Sequence, residues 1–533
     1  MRETEDDVPR SSPGLYLRAK RAAGISALLF LCMIPGSAQE SISDRLSDLL
    51  HAQEDTIGPL SNEQLSLGNE LIDQISGAWP ASLEARKAYA RGLLRFMGNA
   101  REREWSGSGM QLRGNKEAEL AARAQGTLRL RLDAPLTSYL ESEVLLLPRL
   151  HREDLRAGAA LLLGDLDSSS STLALLQATR DPDRHVRDCA VEALKGADSP
   201  AVHAALVELL REVERGDIEL TTLPIERHFQ SVTLAPGGVP EEQLFQYVRE
   251  RLPSSDWHLA SRAIAVSRAL SDRRVAPPLI EAMSVWLTRQ RGGMQAARTL
   301  GDLEDELIRR SGRKMGQDPQ RWRRWWRAVR AGEAKLPSES DSGPRTMAAF
   351  FGLRPKTDRV VFVLDRSGSM DSAVSGATKS AGTKSRTRFD EAESQLLKCL
   401  EDLGEQTRFD VILFSDGLRR FRKELVPANE KNLKNLARWI SLNGPEGGTR
   451  LFPGVLEAMS CHDPATLEAD TVIVLCDGET AEGPTWVGPF LRVQNDLARV
   501  RFHAVQLGGR SDGTLEALCN LSDGDYVEID LSR

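Results

Sequence analysis

Val360-Val361-Phe362-Val363-Leu364-Asp365-Arg366-Ser367-Gly368-Ser369-Met370 is the stretch on which the fold turns. Five apolar residues in a row, three of them β-branched, read as a strand buried on both faces. The run stops at an acid followed by a short Ser/Gly turn. Similar runs recur at Phe409 to Phe414, Thr471 to Leu475 and Val500 to Leu507, and Tyr526-Val527-Glu528-Ile529 closes the series. Between them, Phe389 to Leu403, Leu433 to Ile440, Phe452 to Met459, Pro484 to Leu497 and Thr514 to Leu521 carry amphipathic helical spacing. Apolar strands alternating with helices imply an α/β, Rossmann-like domain with a mostly parallel central sheet, here residues 356–533.

Ligands of such sheets sit beyond the carboxyl ends of the strands. The first strand ends in Asp365, Ser367 and Ser369, and the third runs into Cys476-Asp477-Gly478-Glu479. Between them Gly447-Gly448-Thr449 opens a helix. Two carboxylates and three hydroxyls therefore converge on one edge. Hard oxygen donors of this kind suit Mg2+ or Mn2+, whereas zinc favours His and Cys. Two acids leave the ion under-coordinated, so an acidic group from a partner could complete its shell.

These residues resemble the von Willebrand factor type A domain with its metal-ion-dependent adhesion site. The D-x-S-x-S element matches Asp365, Ser367 and Ser369; the family's Thr matches Thr449 and its later Asp matches Asp477. The resemblance implies a metal site built from these five residues, with direct and water-mediated contacts divided among them. Each piece alone has a plainer reading, as a strand-ending turn, a Thr helix cap or an Asp-Gly turn. Their joint occurrence in order is what carries the site. Asp416 in Phe414-Ser415-Asp416-Gly417 reads as a tight turn, and Glu479 as a neighbouring charge at most.

After the first metal element, residues 371–388 form a Ser/Gly/Thr/Lys-rich loop bearing Lys379, Lys384, Arg386 and Arg388. It reads either as a flexible insertion or as a basic rim that steers an acidic partner towards the metal. A hydrolase is disfavoured. Position 367 is Ser where phosphatases with a strand-terminal Asp want a second Asp, and neither GxxxxGK[ST] nor G-x-S-x-G occurs.

Upstream, residues 332–355 are Ser/Pro-rich and read as a linker. Before them, Trp322, Trp325, Trp326 and Val329 follow i, i+3, i+4, i+7 spacing among five arginines, the pattern of a capping helix with flanking Arg stems. Residues 147–331 resemble HEAT repeats, most fully at Asp181-Pro182 through Leu194, where Val186, Ala190, Ala193 and Leu194 share one face. The chain is thus read as multidomain, an α-helical HEAT-like solenoid followed by the α/β domain. Residues 39–146 read as helical, with Ala100 to Glu117 an exposed loop.

At the start, Arg18, Lys20 and Arg21 precede an apolar run from Ala22 to Ile34, then Pro35 and Gly36-Ser37-Ala38. Residues 1–38 read as a secretory signal, or as an anchor if uncleaved. Export to a periplasm, cell surface or medium follows, with membrane contact only through an uncleaved N-terminal segment. Six cysteines (32, 189, 399, 461, 476, 519) form no CxxC pair, which disfavours zinc ribbons and dense disulfide frameworks. The 77 acids against 70 bases give a formal net charge of -7, which offers no basis for a nucleic-acid partner. The sequence is therefore read as a binding protein and not an enzyme: a divalent cation at Asp365, Ser367, Ser369, Thr449 and Asp477 captures an exposed Asp or Glu of a protein partner. The alternative is an envelope assembly scaffold that binds through its helical repeats, with the metal structural.

Overall fold

Along the 360–364 run, successive side chains enter two separate cores. The computed structural model, which describes residues 42–55, 60–105, 116–166, 168–333, 350–353, 355–374, 386–459, 469–508 and 511–529, makes this run part of β1 (Arg359–Asp365). Val361 and Val363 join one buried cluster, Val360, Phe362 and Leu364 the other. That two-sided burial is why the run is continuously apolar instead of alternating. β2 (Arg408–Phe414), β3 (Leu418–Arg420), β4 (Val426–Pro427), β5 (Thr471–Cys476), β6 (Arg501–Leu507) and β7 (Tyr526–Ile529) complete one sheet. Its order is β3-β2-β1-β5-β6-β7, with β4 also on β2. β1, β2, β5, β6 and β7 pair in parallel; β3 and β4 run antiparallel to β2. The two short antiparallel strands escape the sequence reading because neither has an apolar run of its own.

Helices Leu451–Met459, Val487–Ala498 and Thr514–Leu521 cover one face, Arg388–Leu403 and Glu430–Ser441 the other. The chain moves from β1 to β2 on one side and returns to β5 on the other. The crevice between β1 and β5 is therefore the switch point where such sheets hold ligands.

The preceding region is helical throughout its described residues, from Ile42–Asp55 to Pro319–Arg330. The loop expected over residues 100–117 gives way at both ends. Helix Leu83–Trp105 continues past Ala100, which is buried, and the next helix begins at Lys116. In the repeat-like segment the N-cap of helix Arg184–Leu194 is Asp183, whose carboxylate accepts the Val186 N–H. Asp181 serves the preceding layer: its two oxygens take Arg156 Nε and Nη2, each at 2.8 Å. Helix Pro319–Arg330 buries Trp322, Trp325 and Trp326, and Arg323 reaches Glu281 and Ser284 of helix Asp272–Arg291.

Ile42–Arg533 forms one compact unit, and the helices meet the sheet at its amino-terminal end. Asp358, just before β1, accepts the Ala296 N–H at 2.9 Å; Arg298 donates to the Asp470 carbonyl just before β5; Arg501, opening β6, pairs with Asp302. Phe350 and Leu353, placed in the linker by composition, pack into the sheet core instead: a backbone bridge pairs the two residues, and the Phe350 ring lies against that of Phe362. The signal segment with Cys32, residues 334–349 of the linker, Lys379, Lys384, Cys461 and His462 lie outside the described residues. Cys189, Cys399, Cys476 and Cys519 are buried. Among the described residues no helix is long and apolar enough to cross a membrane.

Candidate metal centre

Asp365 closes β1 with no exposed surface. Its Oδ1 accepts the Ser367 N–H at 2.6 Å, which turns the chain sharply and aims both Ser side chains along the sheet edge. The Ser367 and Ser369 hydroxyls lie 2.9 Å apart, and Ser369 donates to Asp477 Oδ1 at 2.7 Å. Since the single Ser369 proton goes to Asp477, Ser367 donates to Ser369. Across the crevice, Asp365 Oδ2 faces the Cys476 thiol at 3.1 Å and the Asp477 N–H at 3.5 Å. Four of the five expected residues thus form one hydrogen-bonded chain.

Thr449 enters on a third loop tied to the other two by backbone. Gly447 accepts the Gly368 N–H at 3.0 Å, Glu446 donates to the Arg366 carbonyl, and Thr449 accepts the Ala481 N–H at 2.9 Å. Among the described residues, the half-buried Thr449 side chain takes no part in the hydrogen-bonded chain of the other four. Asp416 is not among the oxygen donors; it accepts the Gly448 N–H at 3.0 Å and holds the loop from outside. A Cβ at Gly447 or Gly448 would lie within 2.8 Å of that carboxylate, which is why two glycines stand there. Glu479 is exposed.

Burial pushes the Asp365 carboxyl up to about 6, and the Asp477 charge acts in the same direction against hydrogen bonds from Ser367 and Cys476. Burial, then the Asp365 charge, holds the Cys476 thiol well above its usual range. Among the expected basic residues, Arg388 turns inward, its Nη1 2.8 Å from Asp477 Oδ2. Arg386 pairs with Glu391 at the surface.

The donor set fits a hard divalent ion. All candidate atoms are oxygens, two carboxylates are held in low dielectric, and the two serine hydroxyls bond to each other and to the carboxylates of the same set. No group of three or more His, Cys, Asp or Glu side chains suited to a metal occurs among the described residues. Two contributors had no sequence signal. Cys476 reads as the last residue of a buried strand. Glu482, five residues after Asp477, is buried and accepts the Leu451 N–H at 3.1 Å, capping the helix that Thr449 introduces.

Comparison with known proteins agrees with this architecture. Residues 358–527 match the family model of the von Willebrand factor type A domain, and residues 144–219 match that of HEAT repeats. The chain is similar to inter-alpha-trypsin inhibitor heavy chain H1 of Mesocricetus auratus, 30% identical over 171 residues, 30% of this chain and 17% of that protein. It is also similar to heavy chain H4 of Homo sapiens, 28% identical over 141 residues, 25% of this chain and 14% of that one. It therefore spans about a sixth of the length of these relatives. The chain is also similar to two solved structures. One is described as von Willebrand factor type A from Catenulispora acidiphila, with 18% identity, TM-score 0.27, covering 32% of this chain and 39% of the other. The other is proximal thread matrix protein 1 from the mussel byssus with a zinc-occupied MIDAS motif, with 18% identity, TM-score 0.24, covering 33% and 42%.

Proposed function

We propose that this chain is an exported, non-enzymatic binding protein that uses a divalent cation, Mg2+ or Mn2+, to capture an acidic side chain of a protein partner. The observation that carries this reading is the hydrogen-bonded chain Asp365–Ser367–Ser369–Asp477 at the switch point of the sheet. Asp365, Ser367, Ser369, Thr449 and Asp477 would hold the ion. When bound, it supplies a Lewis-acidic position that a carboxylate from outside can fill. The chain's own residues prepare that position. The Asp365 turn fixes both Ser side chains, Cys476 and the strand backbone hold Asp365, and Asp416 with Ala481 sets the Thr449 loop. Asp358, where the helices dock, lies at the opposite end of the seven-residue β1, about 20 Å away.

The test is calorimetric titration of Mg2+ and Mn2+ into the full chain beside Asp365→Ala. Saturable binding that disappears in the variant supports the site. Equal binding by both proteins sinks it.

A second reading has its own observation. A cleft of about 640 Å³ opens among the helices, lined by Met97, Ala100, Ala121, Leu161, Gly164 and Ala193. A partner seated there would make the helical region the binding part and the metal structural. Under that reading Ala121→Trp weakens partner binding, whereas Asp365→Ala leaves it unchanged.

A further inference from the structure

The loop after the first metal element returns to deliver one cation to the site. Val374 donates its N–H to the Arg386 carbonyl and Arg388 donates its own to the Ser372 carbonyl at 2.9 Å, so the two ends of the loop are clasped. Thr387 then caps helix Arg388–Leu403 in a reciprocal capping box with Asp390. Arg388 is thereby fixed as the first residue of that helix. Its guanidinium packs over Gly508 and donates to Asp477 Oδ2 at 2.8 Å, while Asp477 Oδ1 takes the Ser369 hydroxyl. The Asp477 side chain is fully buried, so one oxygen faces the candidate metal ligands and the other is committed to Arg388.

We infer that Arg388 is a specificity-determining residue of the metal centre: its fixed positive charge weakens the site's hold on the cation and strengthens the hold of the loaded site on an acidic ligand. This rests on the reading of Asp365, Ser367, Ser369, Thr449 and Asp477 as a cation site. The argument is one of net charge. Two carboxylates alone would neutralise a divalent ion. With Arg388 against Asp477 the loaded site keeps one excess positive charge in a partly buried setting, where Coulomb terms exceed those in water several-fold. The same charge repels the incoming cation and attracts an incoming carboxylate. It acts through Asp477 and need not touch the ligand.

The experiment uses the full chain and the variants Arg388→Met, Arg388→Lys and Asp365→Ala. Mn2+ is titrated by calorimetry, and acetate is then titrated into each Mn2+-loaded protein and followed by Mn2+ water-proton relaxation. Removing the charge in Arg388→Met is expected to tighten Mn2+ by about tenfold or more and to weaken acetate by a similar factor, whereas Arg388→Lys stays near wild type. Should Arg388→Met melt early, Arg388→Gln carries the same comparison. Unchanged or weaker Mn2+ binding in the charge-free variant, with Asp365→Ala still abolishing it, overturns this role while the cation site stands. Parallel changes in Mn2+ and acetate affinity also overturn it, since a merely structural residue would move both in one direction. No Mn2+ binding by any of the proteins overturns the role and the underlying site together.

Discussion

Asp496, on helix Val487–Ala498 of the α/β domain, caps a helix that belongs to the other half of the molecule through Thr222, 274 residues earlier. Its Oδ2 accepts the Thr222 N–H at 3.1 Å, and its Oδ1 accepts the Thr222 hydroxyl at 3.2 Å and the Leu223 N–H at 2.6 Å. Helix Leu223–Ser231 has no side-chain cap of its own. Thr222 also accepts from Arg262, which donates to Glu226, and Arg499 of the α/β domain pairs with Glu226 as well. A buried polar network of this kind is stabilising only while every member is satisfied.

Asp496→Ala removes the acceptor and leaves the Thr222 and Leu223 N–H groups without a partner, while Arg262 keeps Glu226 and Glu214. The expected cost is about 3 kcal/mol of unfolding free energy, with Asp496→Asn losing less because one oxygen remains. Urea unfolding followed by tryptophan fluorescence measures it. An unchanged midpoint would mean that the two halves do not unfold as one cooperative unit.

Helices Leu83–Trp105 and Glu153–Leu163 cross with almost no space between their backbones. A Cβ on Gly158 would lie 2.0 Å from the Leu94 carbonyl oxygen, and one on Gly98 would lie 1.9 Å from that of Asp154. Gly158→Ala must therefore separate the helices, with a loss of about 2–3 kcal/mol or more. Gly126, also helical but exposed with nothing within 4 Å, is the control. There Ala is expected to stabilise by about 0.5–1 kcal/mol. Thermal melts of the two variants should move in opposite directions.

The sheet was legible because its strands are buried on both sides, and a run such as Val360 to Leu364 has no other common reading. The candidate metal ligands could be named from the sequence because such a site needs Asp365, Ser367 and Ser369 at fixed short spacing, with Thr449 and Asp477 following at strand and helix ends. Asp496, Arg298 and Asp358 gave no signal. Each looks like an ordinary surface charge until the tertiary fold supplies a backbone partner far away in sequence. Arg388 was visible as a basic residue of a loop, but its inward turn depends on the Thr387 cap and on the clasp at Ser372. Composition likewise missed Phe350 and Leu353, because an average over residues 332–355 hides the short apolar run from Met347 to Leu353 at its end.

His203 and His228 make stability pH-dependent. Their rings lie 5.1 Å apart, and His228 Nδ1 donates to the Lys195 carbonyl at 2.8 Å, which leaves its buried Nε2 as the site of protonation. Burial lowers both from the usual value; in His203 its neighbour lowers it further while Asp198 opposes, and in His228 the Lys195 hydrogen bond opposes. Below about 6.5 the unfolded chain therefore binds more protons than the native one. The contribution is complete above that value and is lost as pH falls, by up to ~1.4 kcal/mol per pH unit for each histidine. Asp365 and Asp410, both pushed up to about 6 by burial, act in the opposite sense over the same range, so the informative quantity is a difference. Between pH 7.5 and 5.5, a His203→Gln/His228→Asn double variant should lose less stability than wild type in urea titrations. Identical losses would assign the acid sensitivity elsewhere.

Glu482 offers a test of how the Thr449 loop is held. Its side chain is fully buried, it accepts the Leu451 N–H, and its neighbour Ala481 donates to the Thr449 carbonyl. It therefore fixes the start of helix Leu451–Met459 from the β5 side of the crevice without reaching the candidate metal ligands. Glu482→Gln keeps an oxygen for Leu451 and is expected to bind Mn2+ within about twofold of wild type. Glu482→Ala removes the cap, frees the Thr449 loop, costs about 1–2 kcal/mol of stability and weakens Mn2+ by about tenfold. Exposed Glu479, three residues away, separates charge from geometry. If Glu479→Ala weakened Mn2+ as much as Glu482→Ala, the effect would be electrostatic, and the cap would have no part in placing Thr449.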